Sequence, residues 1–411
     1  MSDMQAHAVG PAVYQGLRVV ELAAEPAAEY TGRLLAEMGA EVLKIEPPTG
    51  AASRRVGPFA AGIDDGEHSL HFWFYNGDKR SLRIDLDDEA GRAQLGRLLA
   101  ASDVLVCDLQ PHALAAAGLS YETLCGEHPA LIVAAITPFG LTGPRKDWKS
   151  SDLVLLAAGG PLHMCGYDDH SVPPIRPGGN QGYHTGTAFA HIGILLALLE
   201  RQRTGRGQIV DLSIQAALAV TVELANPYWT YTHTLVQRQT CRHAQPVMSQ
   251  PTLFQCADGY IYFALVIAEA KPWQALVEWL QSQGLAGGLD DAAFLDPAFR
   301  LANFDRIQQR VEAFFRANRA EQLYREGQER GLPIGPLNAP EDLFQDRHLR
   351  ARGFFVPVEH PGTGVVEHPG PAYRFSAFAP VEPRAAPRLG EADEQLRAVG
   401  TVASSDPNPT R

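Results

Sequence analysis

Between Pro174 and Gln208 the chain reads PIRPGGNQGYHTGTAFAHIGILLALLERQRTGRGQ. A Gly-rich turn delivers Tyr183 and His184 to the start of a long apolar helix, and a basic, Gly-rich exit leads into a strand. An imidazole at His184 is a candidate general base near neutral pH. The Tyr183 phenol, with a reference pKa of about 10, is protonated near neutral pH and a weak nucleophile there. The nearest carboxylates upstream, Asp168 and Asp169, share a stretch with Gly166 and His170 that reads as a solvated turn. Lys79 and Arg80 offer positive charge to an anionic ligand.

The elements that must hold these residues follow a simple alternation. Apolar strands at 17–22, 40–45, 81–85, 103–107 and 131–136 are separated by helical spacing over 27–38, 88–101 and 120–127. Strands and helices alternating at this length imply an α/β fold with a parallel, doubly wound sheet. A helix over 151–160, a flexible GYDDHSVPP segment and the helix over 185–203 come next, then a last strand at 210–213 and an apolar helix to about 225. Residues 253–266 read as two strands around Ala257-Asp258-Gly259, and helices are expected near 271–283, 304–317 and 319–331. Short strands and Pro-rich connectors follow Gly353, with a helix near 391–399 and a polar tail.

Composition removes several function classes. The chain has 411 residues, 45% of them hydrophobic, enough for two domains. A net charge of -12 argues against a nucleic-acid surface. The five cysteines are dispersed, with no CxxC and no Cys/His pair at metal spacing, so no metal is expected and the thiols read as reduced in a cytoplasmic protein. No secretory signal is visible in MSDMQAHAVG, and the apolar run around Ile192 to Leu199 is too short to span a membrane. A dinucleotide site needs G-x-G-x-x-G after the first strand, and Ala23 to Glu29 contains no glycine.

Six ordered motifs then point to a family. They are Gly16–Leu22 (GLRVVEL) with Leu35–Pro48, Asn76–Leu82 (NGDKRSL), Phe139–Pro144 (FGLTGP), Arg203–Gln208 (RTGRGQ), Gly331-Leu332-Pro333, and Pro387–Glu391 (PRLGE). Together they resemble the family III CoA-transferases, along nearly the whole chain. The resemblance implies a Rossmann-like large domain built from both chain ends, with residues 1–225 as its N-terminal part. It also implies a linker and smaller α+β domain over 226–350, a return segment and tail over 351–411, and two chains threaded as interlocked rings. The chemistry implied is CoA exchange between acyl thioesters and acids. A family aspartate attacks the thioester and forms a mixed anhydride.

That aspartate lies nine residues ahead of the Ile-Gly pair matched by Ile192-Gly193, and the position here is Tyr183. The resemblance places Ala27, Asn76, Lys79, Asp108, Leu109 and Phe139 at CoA-contacting positions. The cradle has drifted, however, with Ala28-Glu29 for Gly-Pro, Asp108 for Asn and Ala116 for Arg. Asp152 matches a family acid that commonly serves structure. No covalently bound cofactor is implied; a CoA thioester is substrate. The text is most similar to aspartate-lacking subunits of enzymes that move CoA from succinyl-CoA to an aryl-succinate such as benzylsuccinate, in anaerobic toluene breakdown. The expectation is therefore a non-catalytic subunit whose homologous, aspartate-bearing partner completes a heterodimer or heterotetramer. Two alternatives stay open: a self-sufficient transferase, isomerase or racemase using other residues, and a non-enzymatic scaffold.

Overall fold

A computed structural model of the chain describes residues 10–265 and 267–394. Most of the helix expected near 391–399, and the tail beyond it, lie outside the described residues. The chain divides into two compact units. One gathers the described residues within 1–161, 177–222 and 347–411, and the other 162–176 and 223–346.

The first unit is built on six parallel strands: β1 (Arg18–Leu22), β2 (Glu41–Glu46), β3 (Arg80–Arg83), β4 (Val104–Cys107), β5 (Ile132–Thr137) and β6 (Ile209–Ser213). Their order is β3-β2-β1-β4-β5-β6, the doubly wound arrangement of nucleotide-binding sheets. The central strands explain this order. Every residue of β4 (VLVC) and β5 (IVAAIT) is buried, as expected when helices cover both faces. The connecting helices are α1 (Pro26–Ala36), α2 (Leu70–Asn76), α3 (Glu89–Ala100), α4 (Pro111–Ala116), α5 (Tyr121–Glu127), α6 (Asp152–Gly159), α7 (Gln181–Thr204) and α8 (Ile214–Val220). Their starts are locally encoded. The side chains of Asp88, Ser151 and Ser213 accept backbone N–H bonds at the heads of α3, α6 and α8.

Helix α7, 24 residues long, would qualify for a membrane span by length and composition alone. Its small residues have a packing reason instead. A Cβ on Gly186 would meet Ile214 at 2.9 Å, and one on Gly193 would meet Val210 at 2.7 Å, so α8 and β6 approach its backbone directly. The RTGRGQ exit is likewise a packing turn, because a Cβ on Gly207 would lie 2.0 Å from the Leu131 carbonyl oxygen.

The second unit has its own aromatic core, with Trp273, Trp279, Phe294, Phe314 and Phe315 packed beside a three-stranded antiparallel sheet. That sheet adds Ile334–Pro336 to the expected strand pair, here Leu253–Cys256 and Gly259–Phe263. Residues 162–176, expected with the large domain, belong to this second unit. Asp168 pairs with Arg242 and accepts from the Thr240 amide at 2.9 Å, and the His170 ring meets the Arg238 carbonyl at 3.0 Å. These contacts tie the loop to the hairpin 237–245.

The terminal hairpin of the first unit, Phe355–His360 with Gly364–Pro369, carries a histidine pair. His360 and His368 meet at 2.8 Å between Nε2 atoms, and His360 stacks on Trp73 at 3.8 Å. Burial, then the neighbouring His368, pushes His360 down to about 4; burial and Arg33 hold His368 below its usual value. Both rings are neutral at pH 7. As pH falls below 6.5 the unfolded chain takes up protons that the folded chain refuses until about 4. Stability should therefore drop by about 2–3 kcal/mol between neutral pH and pH 4. Denaturant midpoints across that window test this, and the wild-type slope should flatten in His360→Phe.

Candidate functional site

Doubly wound sheets place ligands at the carboxyl ends of the strands where the order reverses, here between β1 and β4. A cavity of about 390 Å³ opens there. Its walls include Glu25 and Ala27 after β1, Asp108 and Leu109 after β4, Lys149, and Tyr183 from α7.

Three connections position the polar groups. After β1, the chain turns through Ala23 and Ala24 into α1, whose first residue is Pro26, suited by its fixed φ to a helix start. After β4, Asp108 folds back onto that turn. Its carboxylate accepts from the Ala24 amide at 2.9 and 3.0 Å and from the Glu25 amide at 2.7 Å. Burial raises Asp108 strongly, and the two amides only partly oppose this, leaving it at about 7.

From α6, Asp152 accepts from the Gly182 and Tyr183 amides at 2.8 and 3.2 Å, and so caps the head of α7. The Tyr183 hydroxyl then donates to Glu25 Oε2 at 2.9 Å. Burial, and next the charge of Glu25, push the phenol further up, so it stays protonated at any physiological pH. Burial also raises Glu25. The head of α7 thus presents to the cavity a neutral phenol whose proton is given to Glu25, and no carboxylate.

The remaining candidates lie elsewhere. His184 meets the Tyr75 hydroxyl at 2.9 Å and packs 4.9 Å from the Tyr30 ring, in an aromatic cluster away from the cavity wall. Burial lowers its pKa, which weakens it as a base. Asn76 and Lys79, expected as ligand contacts, need correction: both are buried and neither is part of the cavity wall, the Lys79 ammonium being engaged by its neighbours while Asn76 Nδ2 has no hydrogen-bond partner among the described residues. Lys79 Nζ lies 2.8 Å from Glu21 Oε2 and donates to Asn76 Oδ1 at 2.8 Å and to the Glu29 carbonyl at 2.7 Å. Burial pushes Lys79 down to about 8. Phe139 packs against Trp148, ring centroids 6.3 Å apart, and is not part of the cavity wall.

Sequence reasoning missed Glu25 and Lys149 as wall residues. An acid in the glycine-free turn after β1 was the available signal for the first; nothing in its loop marked the second. Among the described residues no cluster of His, Cys, Asp and Glu is placed to hold a metal ion.

A family model described as CoA-transferase family III matches residues 14–393. Subunit BbsE of succinyl-CoA:(R)-benzylsuccinate CoA-transferase from Thauera aromatica is 32% identical, over 93% of each chain. The alpha subunit of succinyl-CoA–L-malate CoA-transferase from Chloroflexus aurantiacus is 30% identical over 95% of this chain and 90% of its own. Among solved structures, a CAIB/BAIF family protein from Brucella suis superposes with a TM-score of 0.82, at 27% identity, over 95% of this chain and all of the other.

Proposed function

The chain belongs to CoA-transferase family III, and from that premise we propose that it is the non-catalytic subunit of a hetero-oligomeric enzyme. That enzyme moves CoA from succinyl-CoA to a carboxylic acid such as an aryl-succinate. The observation that carries the reading is the head of α7, where a neutral phenol is hydrogen-bonded to Glu25, at the position that the motif spacing assigns to the family's nucleophile. Exchange through a mixed anhydride needs a carboxylate, since an aryl ester does not readily return its acyl group to a free acid. The named relatives support both the subunit status and the succinyl-CoA donor.

In this reading an aspartate-bearing homologue, threaded with this chain as an interlocked ring in the cytoplasm, attacks the thioester carbonyl. The C–S bond breaks, CoA thiolate leaves, and the thiolate carries the exchange onward. This chain contributes fold and interface. The test is to produce it alone and with an aspartate-bearing partner, then assay CoA exchange between succinyl-CoA and benzylsuccinate. The pair should turn over and the isolated chain should not. Turnover by the isolated chain would overturn the proposal, and its loss in Glu25→Gln would move the chemistry to that carboxylate.

A further inference from the structure

We infer that Asp108 closes this chain's phosphate seat, so that the cavity refuses CoA and other phosphate-bearing anions. The inference deepens the silent-subunit reading and rests on the same family membership. In sheets of this strand order, a phosphate sits against the backbone amides of the first strand-to-helix turn, at the positive end of the following helix. Helix α1, 11 residues long, offers such an end at the mouth of the cavity.

The two amides that lead into the helix are withdrawn. The Ala24 and Glu25 amides both donate to Asp108. Pro26, at the first helical position, has no N–H. An incoming phosphate that used these two amides would have to share them with a carboxyl group that is itself buried.

The surrounding charges do not relieve the conflict. Glu25 brings a second carboxylate to the cavity wall, and its partner Tyr183 is neutral. The buried cation Lys44 is held between Glu21 and Glu29 at 3.0 and 2.8 Å. The His112 ring, also on the wall, lies 3.4 Å from Asp147. Lys149 remains as an exposed cation on the wall, at a position that can attract an anion without freeing the amides. A carboxylate serving only as a helix cap would make the same hydrogen bonds, so the distinguishing property is ligand binding.

Calorimetry on the full chain, with CoA as the probe, separates the two. The wild-type chain should bind CoA more weakly than about 1 mM, and Asp108→Asn and Asp108→Ala should each gain about tenfold or more in affinity. The Asn variant keeps an acceptor on the two amides and removes only the charge, so it decides the matter if the Ala variant fails to fold. Wild-type affinity in the micromolar range would overturn the inference. So would a folded Asn variant, judged by far-ultraviolet circular dichroism, with unchanged affinity. Turnover is measured in parallel. Tight CoA binding without turnover would sink the closed seat while leaving the silent-subunit reading intact; turnover by the isolated chain would sink both.

Discussion

Replacing Lys44 by Met should cost the fold about 3–5 kcal/mol, because it leaves buried carboxylates short of a counter-charge. Lys44 is fully buried on β2, with Glu21 of β1 at 3.0 Å and Glu29 of α1 at 2.8 Å. Ser53 donates to Glu29 at 2.6 Å, and Lys79 closes the circuit onto Glu21. Burial disfavours charge on Lys44 and Glu29. For Lys44, Glu29 and Glu21 more than offset burial and hold the ammonium above its ordinary value. For Glu29, Lys44 and Lys79 do the same in the opposite direction, holding the carboxyl below its usual value. With the ammonium gone, two acids must share Lys79 or protonate.

The loss should be read as a shift in the unfolding midpoint of the first unit, followed separately from the aromatic core of the second because the two need not unfold together. Adding Glu29→Gln to Lys44→Met should recover part of the loss, since the two sites are in contact and their effects are coupled. A Lys44→Met chain as stable as wild type would show that the network carries no stability.

Tyr183→Asp should leave the chain at least about 100-fold short of the partner's turnover, although it restores the family's nucleophile by name; a shortfall of that size corresponds to about 2.7 kcal/mol of transition-state stabilisation. The shorter side chain gives up the hydrogen bond to Glu25 and sets a new carboxylate at the head of α7 with Glu25 nearby. Like charges at such a site raise each other's pKa and weaken the nucleophile. With Asp108 still on the Ala24 and Glu25 amides, the substrate's phosphates also gain no seat. The assay is CoA exchange in a reconstituted pair whose other subunit has been stripped of its nucleophile. Full turnover there would refute the argument. Combining Tyr183→Asp with Asp108→Asn should raise turnover above Tyr183→Asp alone.

Much of the architecture was legible because its signals are local. The strands at β1, β2, β4 and β5 are short apolar runs, and the helices between them show 3.6-residue spacing. Helix α2 went unread, because its LHFWFYN text has no polar face and resembles a buried strand until Ser69 caps it by accepting from the Phe72 amide. Helix α4 was missed in a six-residue, Ala-rich stretch with no periodicity to detect. The loop 162–176 was assigned by chain order to the wrong unit. Its partners, Thr240 and Arg242, lie about seventy residues away in sequence, and no local pattern announces them.

The site divides in the same way. Residue types alone determined that position 183 cannot form an anhydride, since a phenol lacks the carboxylate that the exchange requires. They also placed the chain in its family, through glycines such as Gly207 whose need for close backbone approach is written into the motif. Only the tertiary structure decided what the charged residues do. Lys79 and Asp108 had looked alike, one a ligand-binding cation and the other a weakened ligand contact. Folding buries Lys79 against Glu21 and turns Asp108 onto the Ala24 and Glu25 amides. A side chain's chemistry belongs to its residue type, whereas the partner that consumes or frees it is set by which distant strand ends the sheet order brings together.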